Sequence, residues 1–338
     1  RDLHAFPTRR SSDLLAGQIY QAAIGSGCPP LWAPAEYEQW RDYSAYSVGA
    51  KRTAQELPEN EMLAKYFHDG VAPGHITWDW NMILTEGVSG ILKRVDELDS
   101  NPKDEKAHEF YGGVRIVLQG LIDWTKAYVD LLKKYADQEQ DENRKAELLE
   151  MAEICSRVPE YPATNFREAL QSFLLQYLAV MFENPFGGNG VGRLDYYIWP
   201  YLEKDLADGI MDMETARDYI TELLIKLDER IHWADGWVEA IVVGGRKPDG
   251  SLSINPLSYM IVEVINDLNQ THPSVYIRLP KDAPKDFVEL SAEYIIKSGN
   301  RGQVYSDDAV TEALISDGTS IEDARHWGAG GCMEVSVQ

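Results

Sequence analysis

The hydrophobic and polar positions of the chain follow one period before residue 238 and another after it. In the first part, apolar residues recur at spacings of three and four, which predicts amphipathic helices. The broad apolar face of 165–182 predicts a mostly buried helix, whereas the mixed-sign charges of 133–150 indicate a solvated helix surface. The predicted helical stretches are residues 53–70, 73–98, 102–157, 165–182 and 213–231.

From residue 238 onward, short β-branched runs alternate with amphipathic stretches. Strands are predicted at 238–245, 273–280 and 302–306. Helices are predicted at 256–269, 283–300 and 307–318, with Asp307 as the N-cap of the last. This alternation is typical of parallel strands joined by crossover helices. The chain is therefore predicted to be an α/β protein with a large helical N-terminal portion.

The charge of the chain excludes several classes of partner. The chain has 338 residues, 44% of them hydrophobic, and a formal net charge of −23. A surface of this sign repels phosphate backbones, so we expect no nucleic-acid binding. No apolar run is long enough to span a bilayer, and an anionic membrane surface is an unfavourable partner. The charge itself is interpreted as a contribution to solubility.

The cysteines and histidines do not form a metal-binding pattern. Cys28, Cys155 and Cys332 are far apart and lack C-x-x-C spacing, so neither a disulfide framework nor a zinc site is expected. Three unbridged thiols suit a reducing cytoplasm. The histidines are scattered, without paired spacing, and we predict no metal site.

The first fourteen residues, RDLHAFPTRRSSDL, resemble the translation of a common sequencing adapter. The alternative is a basic N-terminal arm, given Arg1, Arg9 and Arg10. We expect residues 1–14 not to be native and exclude them from fold reasoning. The native segment then begins near Leu15, and a chain that is truncated at both ends is the expectation.

Cys332 and Glu334 lie two residues apart, behind the small residues 328–331. In an extended segment such a pair points to one side, so a thiol and a carboxyl would face one pocket. Glycines allow the backbone to turn tightly there. Burial would raise the pKa of the carboxyl and let it act as acid or base near neutral pH. On C-x-E alone, a structural cysteine beside a surface glutamate remains the more typical interpretation.

Four stretches together resemble one enzyme family, the glycyl radical enzymes of the pyruvate formate-lyase superfamily. SIEDARHWGAGGCMEVSVQ (320–338) is similar to the family's catalytic-cysteine loop. EICSRVPEYPATNFREALQSF (153–173) and GVGRLDYYIWPYLEKDLADG (190–209) resemble two further family segments. PGHITWDWNMILTEGVSGI (73–91) is similar to a segment nearer the family's N-terminus, and the four occur in the family's order.

The resemblance implies a fold and a set of site residues. The fold would be part of a ten-stranded α/β barrel, the first half-barrel, over residues 15–338. Cys332 would form the thiyl radical that abstracts hydrogen from the substrate, and Glu334 would be its acid/base partner. The resemblance also places candidate substrate-pocket residues at Gly187, Gly188, Arg193 and Asp195. A hydrophobic barrel would shield the radical from water and oxygen.

The resemblance further implies a glycyl radical, installed by a radical S-adenosylmethionine activating enzyme, and a homodimer. The family's R-V-x-G-Y radical motif does not occur in this sequence. The chain alone is therefore expected to lack the glycyl radical domain and to be inactive. A split enzyme, with the glycyl radical on another chain, is a further possibility.

The surroundings of Cys332 narrow the reaction class. Gly331 and Met333 flank it, whereas pyruvate formate-lyase has two adjacent cysteines, so that activity is not expected. Gly187 and Gly188 occupy places where small-polyol dehydratases carry a His-Ser pair, which disfavours a glycerol-type substrate.

The leading interpretation is radical elimination of a C–O, C–N or C–S bond in a small organic substrate. The alternative is an arylacetate-type decarboxylase, with Trp78, Trp80 and Phe186 lining the pocket. A non-enzymatic acidic protein with a chance C-x-E is the remaining alternative.

Overall fold

The computed structural model describes residues 77–183, 190–229, 240–270, 272–297, 302–331 and 334–337. The predicted helix at 53–70 lies outside these residues. Between residues 80 and 229 the described chain is mostly helical, and apolar spacing predicts all of its helices except the one at Leu194–Ala207. The helices are α1 (Trp80–Asp99), α2 (Glu105–Gln138), α3 (Glu142–Arg157), α4 (Phe166–Glu183), α5 (Leu194–Ala207) and α6 (Met213–Glu229).

Local chemistry sets the helix boundaries. The Asp79 side chain accepts a hydrogen bond from the Met82 amide at the start of α1, and Asp104 accepts one from Ala107 at the start of α2. Helix α1 is kinked at Gly87, whose φ is +68°. A Cβ atom there would lie 2.6 Å from the Glu160 carbonyl oxygen, so the close packing of this segment requires glycine.

Helix α4 lies in the main hydrophobic core, as its apolar face predicts. Phe166, Leu170, Phe173, Tyr177 and Leu178 are all buried. By contrast, the N-terminal half of α2 exposes Phe110, Ile116 and Val117 although their spacing is helical. The core-facing stripe of α2 begins at Ile122.

The C-terminal part contains a parallel sheet, as the strand–helix alternation predicts. Its strands are β1 (Ala240–Gly244), β2 (Ser274–Leu279) and β3 (Gln303–Ser306), in the order β1-β2-β3. The crossovers are α7 (Pro256–Leu268) and α8 (Lys285–Lys297). Two isolated parallel β-bridges continue the sheet beyond β1. One joins Ile241 to Gly192, and the other joins Gly190 to Thr77.

The two faces of this sheet contact different partners. Ile241, Val243, Val275 and Ile277 belong to the main core with the helices. The alternate residues, including Val242 and Tyr276, form a smaller cluster with Trp327 and Ala329. This division follows from the two-residue period of a strand.

The final described segment lies on the face opposite the helices. Helices α9 (Asp307–Ser316) and α10 (Ile321–Arg325) lead into an antiparallel hairpin of β4 (Trp327–Gly330) and β5 (Glu334–Val337). Trp327 and Ala329 of β4 pack on the small cluster. These features confirm a mostly helical α/β fold; a closed barrel is not seen in the described residues.

Candidate functional site

The hairpin between β4 and β5 carries the Cys332 and Glu334 pair. Trp327 pairs with Val337 and Gly330 with Glu334, so the chain reverses its direction between β4 and β5. Gly331 has a φ of +53°, a left-handed conformation that favours glycine. Cys332 itself lies outside the described residues, as does Met333.

Glu334 is exposed, in contrast to the apolar environment expected from the sequence. It is the first residue of β5, and among the described strands β5 pairs with β4 alone. Its carboxylate lies near Tyr305. Burial raises the pKa of the Tyr305 phenol to about 12, and the negative charge of Glu334 adds to this effect. Tyr305 is therefore a neutral hydroxyl beside the carboxylate at neutral pH.

Two of the three residues suggested to line an aromatic pocket are described, and the ring centres of Trp78 and Trp80 lie 6.5 Å apart. Trp80 is buried in the main core, edge-on to Phe173, and its indole donates to the Gly190 carbonyl at 3.0 Å. Trp78 is 37% exposed. Phe186 lies outside the described residues, as do the pocket candidates Gly187 and Gly188.

Arg193 is completely buried, and its guanidinium bonds to protein groups. It donates to the Arg246 carbonyl at 2.9 Å and to the His326 Nδ1 at 2.9 Å. It also lies 4.5 Å from the centre of the Tyr196 ring. Burial lowers the pKa of Arg193 to about 9, assisted by the positive charge of Arg278. The side chain remains charged at neutral pH and supports the loop after β1.

Asp195 is also completely buried. Its Oδ2 atom accepts from the Gly244 amide at 2.7 Å and from the Ser258 hydroxyl. Burial raises the pKa of Asp195 to about 6, while these two hydrogen bonds oppose the shift. Asp195 thus ties the start of α5 to the end of β1 and the start of α7. Whether it or Arg193 contacts a substrate stays a prediction.

His326 ends α10 and directly precedes β4. Burial and the charges of Arg193 and Arg278 lower the pKa of His326 to about 4, so its imidazole is neutral at pH 7. Because a guanidinium can only donate, Nδ1 of His326 accepts from Arg193 and the proton resides on Nε2. The two predicted regions, 190–195 and 326–334, are therefore joined by a direct hydrogen bond.

Arg278 of β2 is the charged centre beneath the hairpin. It donates to Asp307 at 2.8 Å through Nε, to the Trp327 carbonyl at 2.6 Å and to the Arg325 carbonyl at 2.8 Å. Its guanidinium lies 4.3 Å from the centre of the Trp327 ring. The buried charge is thus compensated by a carboxylate and by backbone carbonyls.

The predicted N-cap role of Asp307 is wrong. Ser306 occupies the N-cap position and Asp307 is the first helical residue. The Asp307 carboxylate instead forms a buried ion pair with Arg278 at 2.6 Å and accepts from the Trp327 indole at 3.0 Å. Charge compensation therefore replaces helix capping as the role of this residue.

The family profile described as Pyruvate formate lyase-like matches residues 35–338. The chain belongs to this family. The match includes the β4–β5 hairpin with Cys332 and Glu334, and it confirms the resemblance drawn from the four sequence stretches.

Members of the family with known activities are similar over most of the chain. Trans-4-hydroxy-L-proline dehydratase of Clostridioides difficile is 28% identical, over 81% of this chain and 38% of its own length. Isethionate sulfite-lyase of Desulfovibrio desulfuricans is 30% identical, over 100% of this chain and 43% of its own length. A solved structure from work on 1,2-propanediol dehydration in Roseburia inulinivorans has a TM-score of 0.79 at 25% identity. It covers 98% of this chain and 45% of the solved chain. The chain thus spans about two-fifths of the length of these relatives.

Three residues that hold the hairpin could not be identified from the sequence. They are Tyr276, Arg278 and Trp327. The sequence contained one signal for these contacts, because the charged Arg278 interrupts an otherwise apolar strand pattern. A charge in a buried strand requires a partner, although the sequence does not say which one.

No group of three or more His, Cys, Asp or Glu residues in the described part of the chain is placed to hold a metal ion. None of the helices described is long and apolar enough to cross a membrane.

Proposed function

We propose that the full-length protein is a glycyl radical lyase that eliminates a leaving group from a small hydroxylated or amino-substituted substrate. The observation that carries this proposal is the family match through the Cys332–Glu334 hairpin. The relatives named above include a dehydratase and a sulfite-lyase, both of which break a bond to a leaving group.

In this proposal the three parallel strands and the bridged segment at Gly190–Gly192 are part of a larger α/β barrel. The hairpin would then lie inside the barrel, because it packs on the sheet face opposite the helices. Polypeptide beyond this chain would supply the remaining strands, since the chain spans about two-fifths of its relatives. That polypeptide would also cover Glu334, which the described residues leave exposed.

The radical would be supplied by a glycyl radical of the full-length protein, installed by a radical S-adenosylmethionine activating enzyme. The Cys332 thiol would first give its hydrogen atom to the glycyl radical. The resulting sulfur radical would then take a hydrogen atom from a substrate carbon, so that a C–H bond breaks as an S–H bond forms. Glu334 would move a proton to or from the substrate as the leaving group departs. The thiol would finally return its hydrogen atom to the product radical. We further propose that the enzyme is a homodimer.

A product assay on the full-length protein tests the reaction class. The anaerobically activated protein is incubated separately with trans-4-hydroxy-L-proline, isethionate, 1,2-propanediol and an arylacetate, and leaving groups are measured. We expect release of water or sulfite from one of the three aliphatic substrates. Carbon dioxide from the arylacetate, with no elimination from the other three, would contradict elimination and support decarboxylation.

A further inference from the structure

Strand β2 contacts both ends of β4 through two side chains on the same face. Tyr276 and Arg278 are two residues apart, so they project to one side of the sheet. Val275 and Ile277 project to the other side, into the core formed with the helices. Tyr276 instead packs with Trp327 and Ala329 of β4. The face of β2 that carries the polar groups is therefore the face on which the hairpin lies.

The two polar contacts are at opposite ends of β4. Arg278 donates to the carbonyl of Trp327, the first residue of the strand, at 2.6 Å. The Tyr276 hydroxyl donates to the carbonyl of Gly331, one residue past the end of the strand, at 2.8 Å. Both contacts are buried. In the described ladders β4 pairs with β5 and not with β2, so side chains hold the hairpin on the sheet.

Tyr276 contacts Gly331, the residue directly before Cys332 in the chain. Gly331 has a left-handed backbone, with φ at +53°, so the chain changes direction at the residue whose carbonyl is held. A buried phenol thus holds the carbonyl of the residue that precedes Cys332.

We infer that Tyr276 is a positioning residue for Cys332, which holds the Gly331 carbonyl and so sets the direction from which the cysteine enters the site. The inference rests on the proposed function, because it gives Cys332 the hydrogen-transfer role. Hydrogen transfer requires the reacting atoms to be close and aligned, and a misplacement of about 1 Å can lower the rate about a hundredfold. Tyr276 would act on the rate through geometry, without contacting the substrate.

Tyr294 offers a matched control. It is a second buried tyrosine, on α8, and its hydroxyl accepts from the Val275 amide at 3.1 Å. It contacts the same strand from the opposite face. Tyr276→Phe and Tyr294→Phe each remove one buried hydroxyl that bonds to the protein backbone. Only Tyr276→Phe releases the carbonyl before Cys332.

The test uses the full-length protein before and after activation. Before activation, the rate of Cys332 alkylation by iodoacetamide is measured by mass spectrometry. We expect Tyr276→Phe to raise this rate several-fold, and Tyr294→Phe to leave it unchanged. After activation, we expect Tyr276→Phe to lower kcat about tenfold or more. The KM should stay within about threefold, and the glycyl radical amplitude in the EPR spectrum should equal that of wild type.

Equal effects of the two tyrosine variants on alkylation and kcat would overturn the inference, because a general loss of stability would then explain both. If Tyr276→Phe does not fold, Gly331→Ala supplies a second variant that strains the same peptide. We expect Gly331→Ala to lower kcat at full radical amplitude, and wild-type kcat would contradict the inference. Cys332→Ser separates the two proposals. Normal turnover by Cys332→Ser would overturn the proposed function itself. Loss of turnover in Cys332→Ser, together with wild-type kcat in Tyr276→Phe, would overturn only the positioning role of Tyr276.

Discussion

At the residue scale, the buried guanidinium of Arg278 determines which neighbours are allowed. It is held by Asp307 and by the carbonyls of Trp327 and Arg325, so it has little freedom to move. Gly245 lies directly against it. A Cβ atom on Gly245 would lie 2.4 Å from the Arg278 Nε, at a backbone φ of +76°. Both the conformation and the available space therefore require glycine at this position.

We predict that Gly245→Ala destabilises the full-length protein by roughly 3 kcal/mol or more, because backbone strain adds to displacement of a fixed guanidinium. Gly209→Ala is the matched control. Gly209 has a similar φ of +69°, but no atom lies within 4 Å of the added Cβ. Gly209→Ala should lower the free energy of unfolding by only about 1 kcal/mol. Urea unfolding of both variants measures the difference in their free energies of unfolding. Equal losses in the two variants would show that the Arg278 side chain moves aside readily.

At the element scale, most helices and strands could be predicted because their apolar spacing is local information. The stretch 165–182 predicted α4 within one residue at each end. Helix α5 was not predicted from spacing. It contains Pro200, which lacks an amide hydrogen and usually ends a helix. Burial of Leu194, Ile198 and Leu202 on its inner face offsets this cost.

The site could be predicted only in part, for a reason of sequence distance. The Cys332 and Glu334 pair is a local motif and is visible in the sequence. The contacts that hold its hairpin are not local, since Tyr276 and Gly331 are 55 positions apart. Asp307 illustrates the limit, because its position before a helix indicated a cap while its partner Arg278 was hidden in another element. The exposure of Glu334 could not be predicted either, because it depends on which parts of the protein pack against β5.

A substitution at the start of α9 distinguishes the two roles of Asp307. Asparagine is as good an N-cap as aspartate, so a capping role predicts almost no effect of Asp307→Asn. The buried ion pair with Arg278 predicts a loss of about 3 kcal/mol, because an uncompensated charge remains buried. The control is Asp104→Asn at the exposed N-cap of α2, which should stay within about 0.5 kcal/mol of wild type. Matching urea midpoints for the two variants would argue against the ion pair.

At the scale of the whole molecule, the fold places a cysteine-bearing hairpin on a parallel sheet. The main helical core covers one face of the sheet, and the other face carries the hairpin and α9. Buried charges join the elements that meet there, because Arg193 reaches His326 and Arg278 reaches Trp327. The solved Roseburia inulinivorans structure, of which this chain covers 45%, is similar in fold, with a TM-score of 0.79. In the proposed function, this face of the sheet presents Cys332 to the substrate.

Cys332 is proposed to transfer hydrogen, and Cys155 of the same chain offers a comparison. Cys155 is buried in α3, where burial raises the pKa of its thiol to about 12. It is therefore an unreactive core residue. Turnover by the activated full-length Cys332→Ser and Cys155→Ser variants, normalised to the glycyl radical EPR signal, is the most direct measurement. We predict that Cys332→Ser lowers turnover by about a thousandfold or more, while Cys155→Ser keeps it within about threefold. Wild-type turnover by Cys332→Ser at full radical signal would contradict the account.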